Sequence, residues 1–274
     1  MIVFPNAKIN LGLNILRKRN DGFHDLETIF YPVLLRDALE IIRSSTAEPL
    51  VSITTSGVSI PLKSNNLCEQ AYNLLKQKFD LPPVRIHLHK KIPVGAGLGG
   101  GSADAAFTLK LLNEKFQLSI PEKDLTELAL QLGSDCPFFI VNKPCLAEGR
   151  GERLTPIELD LSRYSLVLVN PGIHIDTAWA FSQLLPRDND QRLADIVFEP
   201  VNEWKHKLVN DFQQPIFLHY PAVSDIVTKL YDAGALYASM TGTGSTVFAF
   251  FEKGDVHVPG FPGHYFVHWI NRPV

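Results

Sequence analysis

The stretch PVGAGLGGGSADAA, residues 93–106, decides how the rest of the chain is read. Its five glycines, Gly95, Gly97, Gly99, Gly100 and Gly101, stand immediately before an alanine-rich helical pattern. Glycines let several backbone N–H groups approach one anion, and a helix opening at the same place adds its unpaired first-turn N–H groups and positive dipole end. Read literally, Gly95, Gly97 and Gly100 satisfy G-x-G-x-x-G, but the dinucleotide fold needs a buried parallel strand running straight into the loop. Here an alternating strand and a Lys90-Lys91-Ile92-Pro93 connection come first. A Walker loop would need Lys-Ser or Lys-Thr after the last glycine, where this chain has Ser102-Ala103. A flexible linker is the plainest alternative, yet linkers rarely join a β-pattern to an amphipathic helix, and Ser102 is a good N-cap residue. The stretch predicts a phosphate-binding loop.

The whole chain, 274 residues with a formal charge of −3, has no global attraction for nucleic acid or for an anionic membrane surface. Any phosphate must be held locally, and neither nucleic acid nor membrane is expected as a partner. The N-terminal MIVFPNAKINLGLNIL carries a Pro, three Asn and a Lys among its apolar residues, so it reads as neither signal peptide nor membrane span, and a cytoplasmic protein is expected. Cys68, Cys136 and Cys145 are odd in number with no C-x-x-C pair, which predicts buried thiols and argues against disulfides or structural zinc.

Strand patterns occupy Ile9 to Leu16, Ala38 to Arg43, Val51 to Thr55 and Val84 to His89. The last alternates apolar and polar residues as an antiparallel sheet with one wet face would. Helical stripes cover Asn66 to Phe79, Ala103 to Phe116 and Glu122 to Leu132, the third with Pro121 near its start and Gly133 just past its end. The second part holds a strand at Tyr164 to Val169, helices near Thr177 to Leu185 and Ala222 to Ala233, and a strand at Thr246 to Phe251. The polar, turn-rich stretch Glu148 to Asp160 is the candidate boundary, and Pro186 to Arg192 reads as a surface loop. The pattern predicts an α+β protein in two parts, residues 1–155 and 156–274.

With these residues in view, PVGAGLGGGSADAA resembles the central motif of the GHMP superfamily of galactokinases, homoserine kinases, mevalonate kinases and phosphomevalonate kinases. Two more of its motifs follow the right order, NAKINLGLNI near the N-terminus and SMTGTGSTVFAF near the C-terminus. Within the superfamily the chain resembles the kinases that act on 4-diphosphocytidyl-2-C-methyl-D-erythritol, through DGFHDLETIF, NNL at 65–67, GSDCPFF, AEGRGERL, NPGIHIDTAWAF, LVNDFQ and TGTGSTVFAFF. DGFHDLETIF discriminates best. The resemblance implies a two-domain GHMP-kinase-like fold, with a ribosomal-protein-S5-like ATP-binding domain and a ferredoxin-like α/β-sandwich domain. It also implies ATP and Mg2+ as cofactors and transfer of the γ-phosphoryl group to a small-molecule substrate, at the 2-hydroxyl of the cytidyl alcohol.

The resemblance carries over residue by residue. Asp135 matches the catalytic base and Lys8 the active-site lysine, which would keep Asp135 ionised and stabilise the developing alkoxide. An Asx-turn for Asp135 and a snorkelling surface position for Lys8 are the plainer readings. Pro93, Gly95, Gly97, Leu98, Gly99, Gly100, Gly101, Ser102 and Ala103 match the loop around the ATP phosphates, and Asn66 a residue near the nucleoside. On the substrate side stand Asn10, Phe23, His24, Thr177, Phe181 and Gly242. Phe23, where many relatives have Tyr, would stack on the cytosine with Phe181 on its other face, while His24 bonds the ring edge. No carboxylate is identified as a metal ligand, and Asp104 is expected to face away from the loop, since it would repel phosphate.

After Phe251 the chain has only EKGDVHVPGFPGHYFVHWINRPV, where the family commonly places a crossover helix. That helix is expected to be shortened or lost, with GHYFVHWI as an edge strand. A sibling small-molecule kinase, or a non-catalytic nucleotide-binding protein on the same fold, would fit the loop equally well.

Overall fold

The structure is a computed structural model that describes residues 1–46, 48–60, 66–184, 192–254 and 260–271. Asn65, most of the expected 186–192 loop, Leu185 and Pro259 lie outside the described residues. By packing, the chain divides into two compact units. Unit 1 comprises Met1–Ala7, Leu34–Val94 and Gly99–Lys143, and unit 2 comprises Lys8–Val33, Gly95–Leu98 and Pro144–Val274. Unit 2 therefore takes in residues from both sides of the expected 155/156 boundary.

Unit 1 is built on a sheet in the order β1-β4-β6-β5, from β1 (Ile2–Val3), β4 (Ala38–Arg43), β5 (Val51–Gly57) and β6 (Val84–Lys90). β6 alternates buried and exposed from Val84 to Lys90 as its apolar pattern demands. The expectation of a wholly antiparallel sheet is corrected here. β4 pairs antiparallel with β6, but β5 runs parallel to β6, with Val51 opposite Val84. Parallel neighbours need a crossover, and helix α1 (Leu67–Lys76) lies in the connection between them. Helices α2 (Gly100–Lys115), α3 (Glu122–Leu130) and α4 (Cys136–Val141) follow. α1 packs on α2, and α2 in turn packs on α4. All three cysteines are buried free thiols.

Unit 2 holds most of a second sheet in the order β2-β3-β7-β8 and the whole of a third in the order β10-β11-β9-β12. The second comprises β2 (Asn6–Lys18), β3 (His24–Arg36), β7 (Cys145–Gly149) and β8 (Arg153–Pro156). The third comprises β9 (Ser165–Asn170), β10 (Tyr237–Met240), β11 (Val247–Phe251) and β12 (Phe266–Ile270), with each pair antiparallel. Both faces of this third sheet are covered, which is why SLVLVN and VFAFF are apolar throughout instead of alternating. Val167, Val169, Met240, Val247 and Ala249 pack in one cluster with residues of α5 (Thr177–Ser182), α7 (Gln213–His219) and α8 (Pro221–Asp232). A short helix, α6 (Leu193–Ile196), and a 3₁₀ turn at Val201–His206 precede α7, and Trp204 of that turn meets the rings of Tyr237 and Phe250 edge-on. β12 is the edge strand beside β9. No helix occupies the described residues between Phe251 and Phe266.

α8 shows how local sequence sets the boundaries. Pro221 stands at its first position, where the missing N–H costs nothing. Gly234 ends it at φ +91°, with Ala235 N donating to Leu230 O at 3.0 Å and Gly234 N to Tyr231 O at 2.9 Å, so the last carbonyls are satisfied. Leu230 is fully buried against the third sheet. Leu230→Ala is expected to cost about 2–5 kcal/mol, read as a lower denaturant midpoint, whereas a shift near zero would show that α8 does not hold unit 2 together.

Candidate active site

β2 divides into two faces. Ile9, Leu11, Leu13 and Ile15 form the apolar one, while Asn6, Lys8, Asn10 and Asn14 occupy the other and are buried as well. Burying such groups is costly unless they are hydrogen-bonded. In unit 2 the bonds form a connected set. Lys8 Nζ donates to Asn10 Oδ1 at 2.6 Å, and Asn10 Nδ2 donates to Thr28 Oγ1 at 3.0 Å. Thr28 Oγ1 in turn donates to the Gly12 carbonyl at 2.6 Å. Thr241 Oγ1 accepts from Asn10 N at 3.1 Å and stands 3.1 Å from both Asn10 Oδ1 and the Gly97 carbonyl. Lys8 N donates to Leu98 O at 3.0 Å, so main chain and side chain of one residue bind two parts of the network. Lys8 is 3% exposed and is no snorkelling surface residue.

The glycine loop and the turn after β10 meet as bare backbone. Gly97 has φ +77°, and a Cβ there would run into the Thr241 carbonyl. A Cβ on Gly242, at φ +57°, would lie 3.2 Å from Gly97 Cα. Both positions require glycine on conformation and on space. Unit 2 thus gathers Lys8, Asn10, Gly97, Leu98 and Gly242 from three separate segments. Gly95, in the same unit, faces the His174 ring.

The loop's second half opens α2 in unit 1. Ser102 is not the N-cap: the cap position is Gly99, in the left-handed region at φ +69°, and no side chain caps this helix. The glycines obscured the boundary because they leave no side-chain signal for the first turn. Gly100, Gly101, Ser102 and Ala103 follow, and Ala103 N closes the first bond to Gly99 O at 2.9 Å. Pro93 is half-buried just before the loop, and Ser102 lies beside the Cys136 thiol, which burial pushes up to about 12. Asp135 precedes that cysteine as the first residue of the α4 region, half-buried in α-helical conformation, and its side chain does not cap the helix. α4 itself was not expected. Asn66 caps α1 by accepting from Cys68 N at 2.9 Å, a role its amide oxygen alone fills.

The aromatic residues converge in part. His24 at the start of β3 and Phe181 on α5 stack with ring centroids 4.8 Å apart and planes 21° from parallel. Thr177, one turn before Phe181, is the exposed first residue of that helix. Phe23 is exposed, and its ring lies under the Arg150 guanidinium at 4.4 Å. The ring that stacks on Phe181 is therefore His24. Burial, and after it the Lys18 ammonium, holds His24 below the ordinary imidazole value. A neutral ring offers one donor and one acceptor edge.

Two polar residues escaped the sequence reading: Thr28 of the hydrogen-bond network, and Arg150 over the Phe23 ring. Thr28 is fully buried in β3 within the run Glu27–Phe30, which is buried without alternation, so no period in the sequence marked it. Arg150 lies in the turn between β7 and β8 within AEGRGERL, a motif noted for resemblance and not for chemistry.

Comparison with known proteins agrees with this architecture. The models for the GHMP kinases N terminal domain and the GHMP kinases C terminal domain match residues 66–143 and 197–257. A Bacteroides fragilis protein named 4-diphosphocytidyl-2-C-methyl-D-erythritol kinase is 53% identical over 93% of both chains. One of the same name from Azobacteroides pseudotrichonymphae is 51% identical over 92% of this chain and 94% of its own. A crystal structure of 4-(cytidine 5'-diphospho)-2C-methyl-D-erythritol kinase superposes with a TM-score of 0.78 at 32% identity, over 91% of this chain and 89% of that one. Together with the glycine loop opening α2 and the two-unit α+β fold, these likenesses assign the family: the chain belongs to the GHMP kinases.

Proposed function

We propose that the chain transfers the γ-phosphoryl group of ATP to the 2-hydroxyl of 4-diphosphocytidyl-2-C-methyl-D-erythritol, a step in making isoprenoid precursors outside the mevalonate route. What carries this reading is that relatives sharing about half of its residues over nearly the whole chain bear that kinase's name. The alcohol oxygen attacks the γ-phosphorus, the bond to the β,γ-bridging oxygen breaks, ADP leaves and the hydroxyl proton passes to a base. Asp135 is assigned as that base and Lys8 as the cation that stabilises the developing alkoxide. Pro93, Gly95, Gly97, Leu98, Gly99, Gly100, Gly101, Ser102 and Ala103 form the nucleotide loop, with Asn66 near the nucleoside. Residues 1–155 are assigned as the ATP-binding and catalytic part and 156–274 as the substrate-binding part, with Asn10, Phe23 and His24 of the first also serving the substrate.

The cytidyl group is assigned to Phe23, His24, Thr177 and Phe181, with Asn10 and Gly242 near the reacting end. The His24–Phe181 stack supports this, since parallel aromatic faces and a neutral imidazole edge suit a flat base with donor and acceptor groups. Magnesium comes with the nucleotide. Among the described residues no three His, Cys, Asp or Glu side chains are grouped to hold a metal ion, and Mg2+ is ordinarily carried by substrate phosphates with few protein ligands. It would offset phosphate charge during transfer, and none of its ligands is assigned to this chain. Among the described residues no helix is long and apolar enough to cross a membrane, and the cytoplasm is the proposed compartment.

Asp135→Asn is expected to lower turnover by about 10²–10⁴-fold while MgADP binding, read by calorimetry, is largely kept. Full activity would remove the base assignment. His24→Ala and Phe181→Ala should raise the KM of the cytidyl substrate about two- to tenfold, the worth of a stack of about 0.5–1.5 kcal/mol, and leave that of ATP alone. Equal losses for both ligands would count against the pocket. Because the His24 value is lowered, its ring stays neutral through pH 7–8. The cytidyl KM should then be flat there and rise only as pH falls below the ordinary imidazole value of 6.5. Gly97→Ala forces a methyl onto Thr241 O and should weaken MgADP at least about tenfold; unchanged affinity would show that the Gly97 contact with the turn is dispensable.

A further inference from the structure

Beneath the phosphate loop, unit 1 buries three charged side chains that the proposed chemistry leaves unused. Lys90 is the last residue of β6 and continues its inward face. Its ammonium is paired with Asp37, between β3 and β4, and with Asp104 Oδ2 at 2.7 Å on α2. Asp37 is saturated, because its Oδ1 also accepts from Lys91 N at 2.5 Å and Ile92 N at 2.9 Å. Asp104 is not: its Oδ1 is buried with no hydrogen-bond partner. Asp104 does turn away from the loop surface, and it turns into this cluster.

With both carboxylates ionised, the cluster is one negative charge in excess, at a place closed to water. It is also close to the loop. Asp104 lies one helical turn beyond Gly100, and a Cβ built on Gly100 would stand 3.3 Å from Lys90 Nζ. A phosphate held by the N–H groups of Gly100–Ser102 would face that excess charge. A proton on Asp104 cancels it.

We propose that Asp104 is a proton-linked positioning residue of the phosphate loop, taking up a proton when an anionic phosphate group settles at the start of α2. This rests on the reading that the loop binds ATP. The remaining groups facing Asp104 suit the role. Lys90 of β6 and Asp37 of the β3–β4 connection set its charge balance. The Cys68 thiol of α1, pushed up to about 12 by burial, stays neutral, and Thr108 Oγ1 bonds the Asp104 carbonyl at 2.7 Å and leaves the carboxyl alone. Burial pushes the Asp104 carboxyl up to about 7, Lys90 pulling it back and Asp37 pushing it further, so a proton is exchangeable at neutral pH. Burial works against Lys90, but Asp104 and Asp37 more than offset it, and Lys90 keeps its charge. A bound anion raises Asp104 further, so the complex holds more protons than the free protein, and nucleotide affinity falls as pH rises through the neutral range.

The test is calorimetric titration of MgADP into the whole protein at pH 7, in two buffers of different ionisation enthalpy, for wild type and Asp104→Asn. Protons belonging to the nucleotide itself cancel in the comparison. Wild type should take up more protons per nucleotide than Asp104→Asn, and its affinity should fall about fivefold from pH 6.5 to 8.5 where the variant's is flat. Equal proton counts with binding intact overturn the inference and leave the kinase reading standing. No MgADP binding to wild type removes the nucleotide reading and the inference with it. Should the variant not fold, infrared difference spectra of wild type with and without MgADP decide. A gain in carboxylic-acid C=O absorption at neutral pH supports the proton uptake, and no gain overturns it.

Discussion

Lys8 and its neighbours set the constraint on which the rest of unit 2 depends. An ammonium and three asparagine side chains are buried on one face of a single strand, and each must find hydrogen bonds inside the protein or cost several kcal/mol. The partners come from far along the chain: Thr28 on β3, Leu98 of the glycine loop and Thr241 after β10. Satisfying β2 therefore fixes the register of three distant segments at once. A sheet that needed only stability could have placed valines there. Buried polar groups held in one geometry are what a site that stabilises developing charge requires, because their orientation is settled before any reaction.

Glycine does the complementary work. Where Gly97 meets Thr241 and Gly242, two backbones approach more closely than any side chain permits, which keeps the loop in contact with the polar network beneath it. Gly99 makes the left-handed turn that starts α2 and leaves the first N–H groups of the helix without side-chain caps. Those groups are then available to an anion. One glycine-rich segment thus serves close packing in unit 2 and helix opening in unit 1.

Much of this could be read from residue order, and the failures have physical causes. β6 was legible because one face is wet, so its apolar residues alternate; α8 was legible from Pro221, its stripe and Gly234. β3 was not, because HDLETIFYPVLLR carries Pro32 and mixed polarity over a long strand with no turn signal. α4 was not, because CPFFIV is a short apolar run in which period cannot separate helix from strand. The parallel pairing of β5 was hidden, since alternation reports a face and not a direction. The Lys90 cluster could have been found: carrying the inward series Val84, Ile86, Leu88 one step further puts Lys90 on the buried face, and a buried lysine calls for carboxylates. Asp135 and His24 were legible only through the family's motifs, as a lone aspartate or histidine has no spacing to betray it.

The fold alone does not distinguish the members of this family, since mevalonate and homoserine kinases share it; on the proposed reading the substrate is chosen by side chains around the His24–Phe181 stack. The most direct test of the account is ATP consumption by the purified protein with Mg2+, offered 4-diphosphocytidyl-2-C-methyl-D-erythritol, mevalonate or homoserine. Turnover with the cytidyl alcohol alone is the predicted result. Turnover with mevalonate or homoserine in its place, or with none of the three while MgADP still binds, would contradict it.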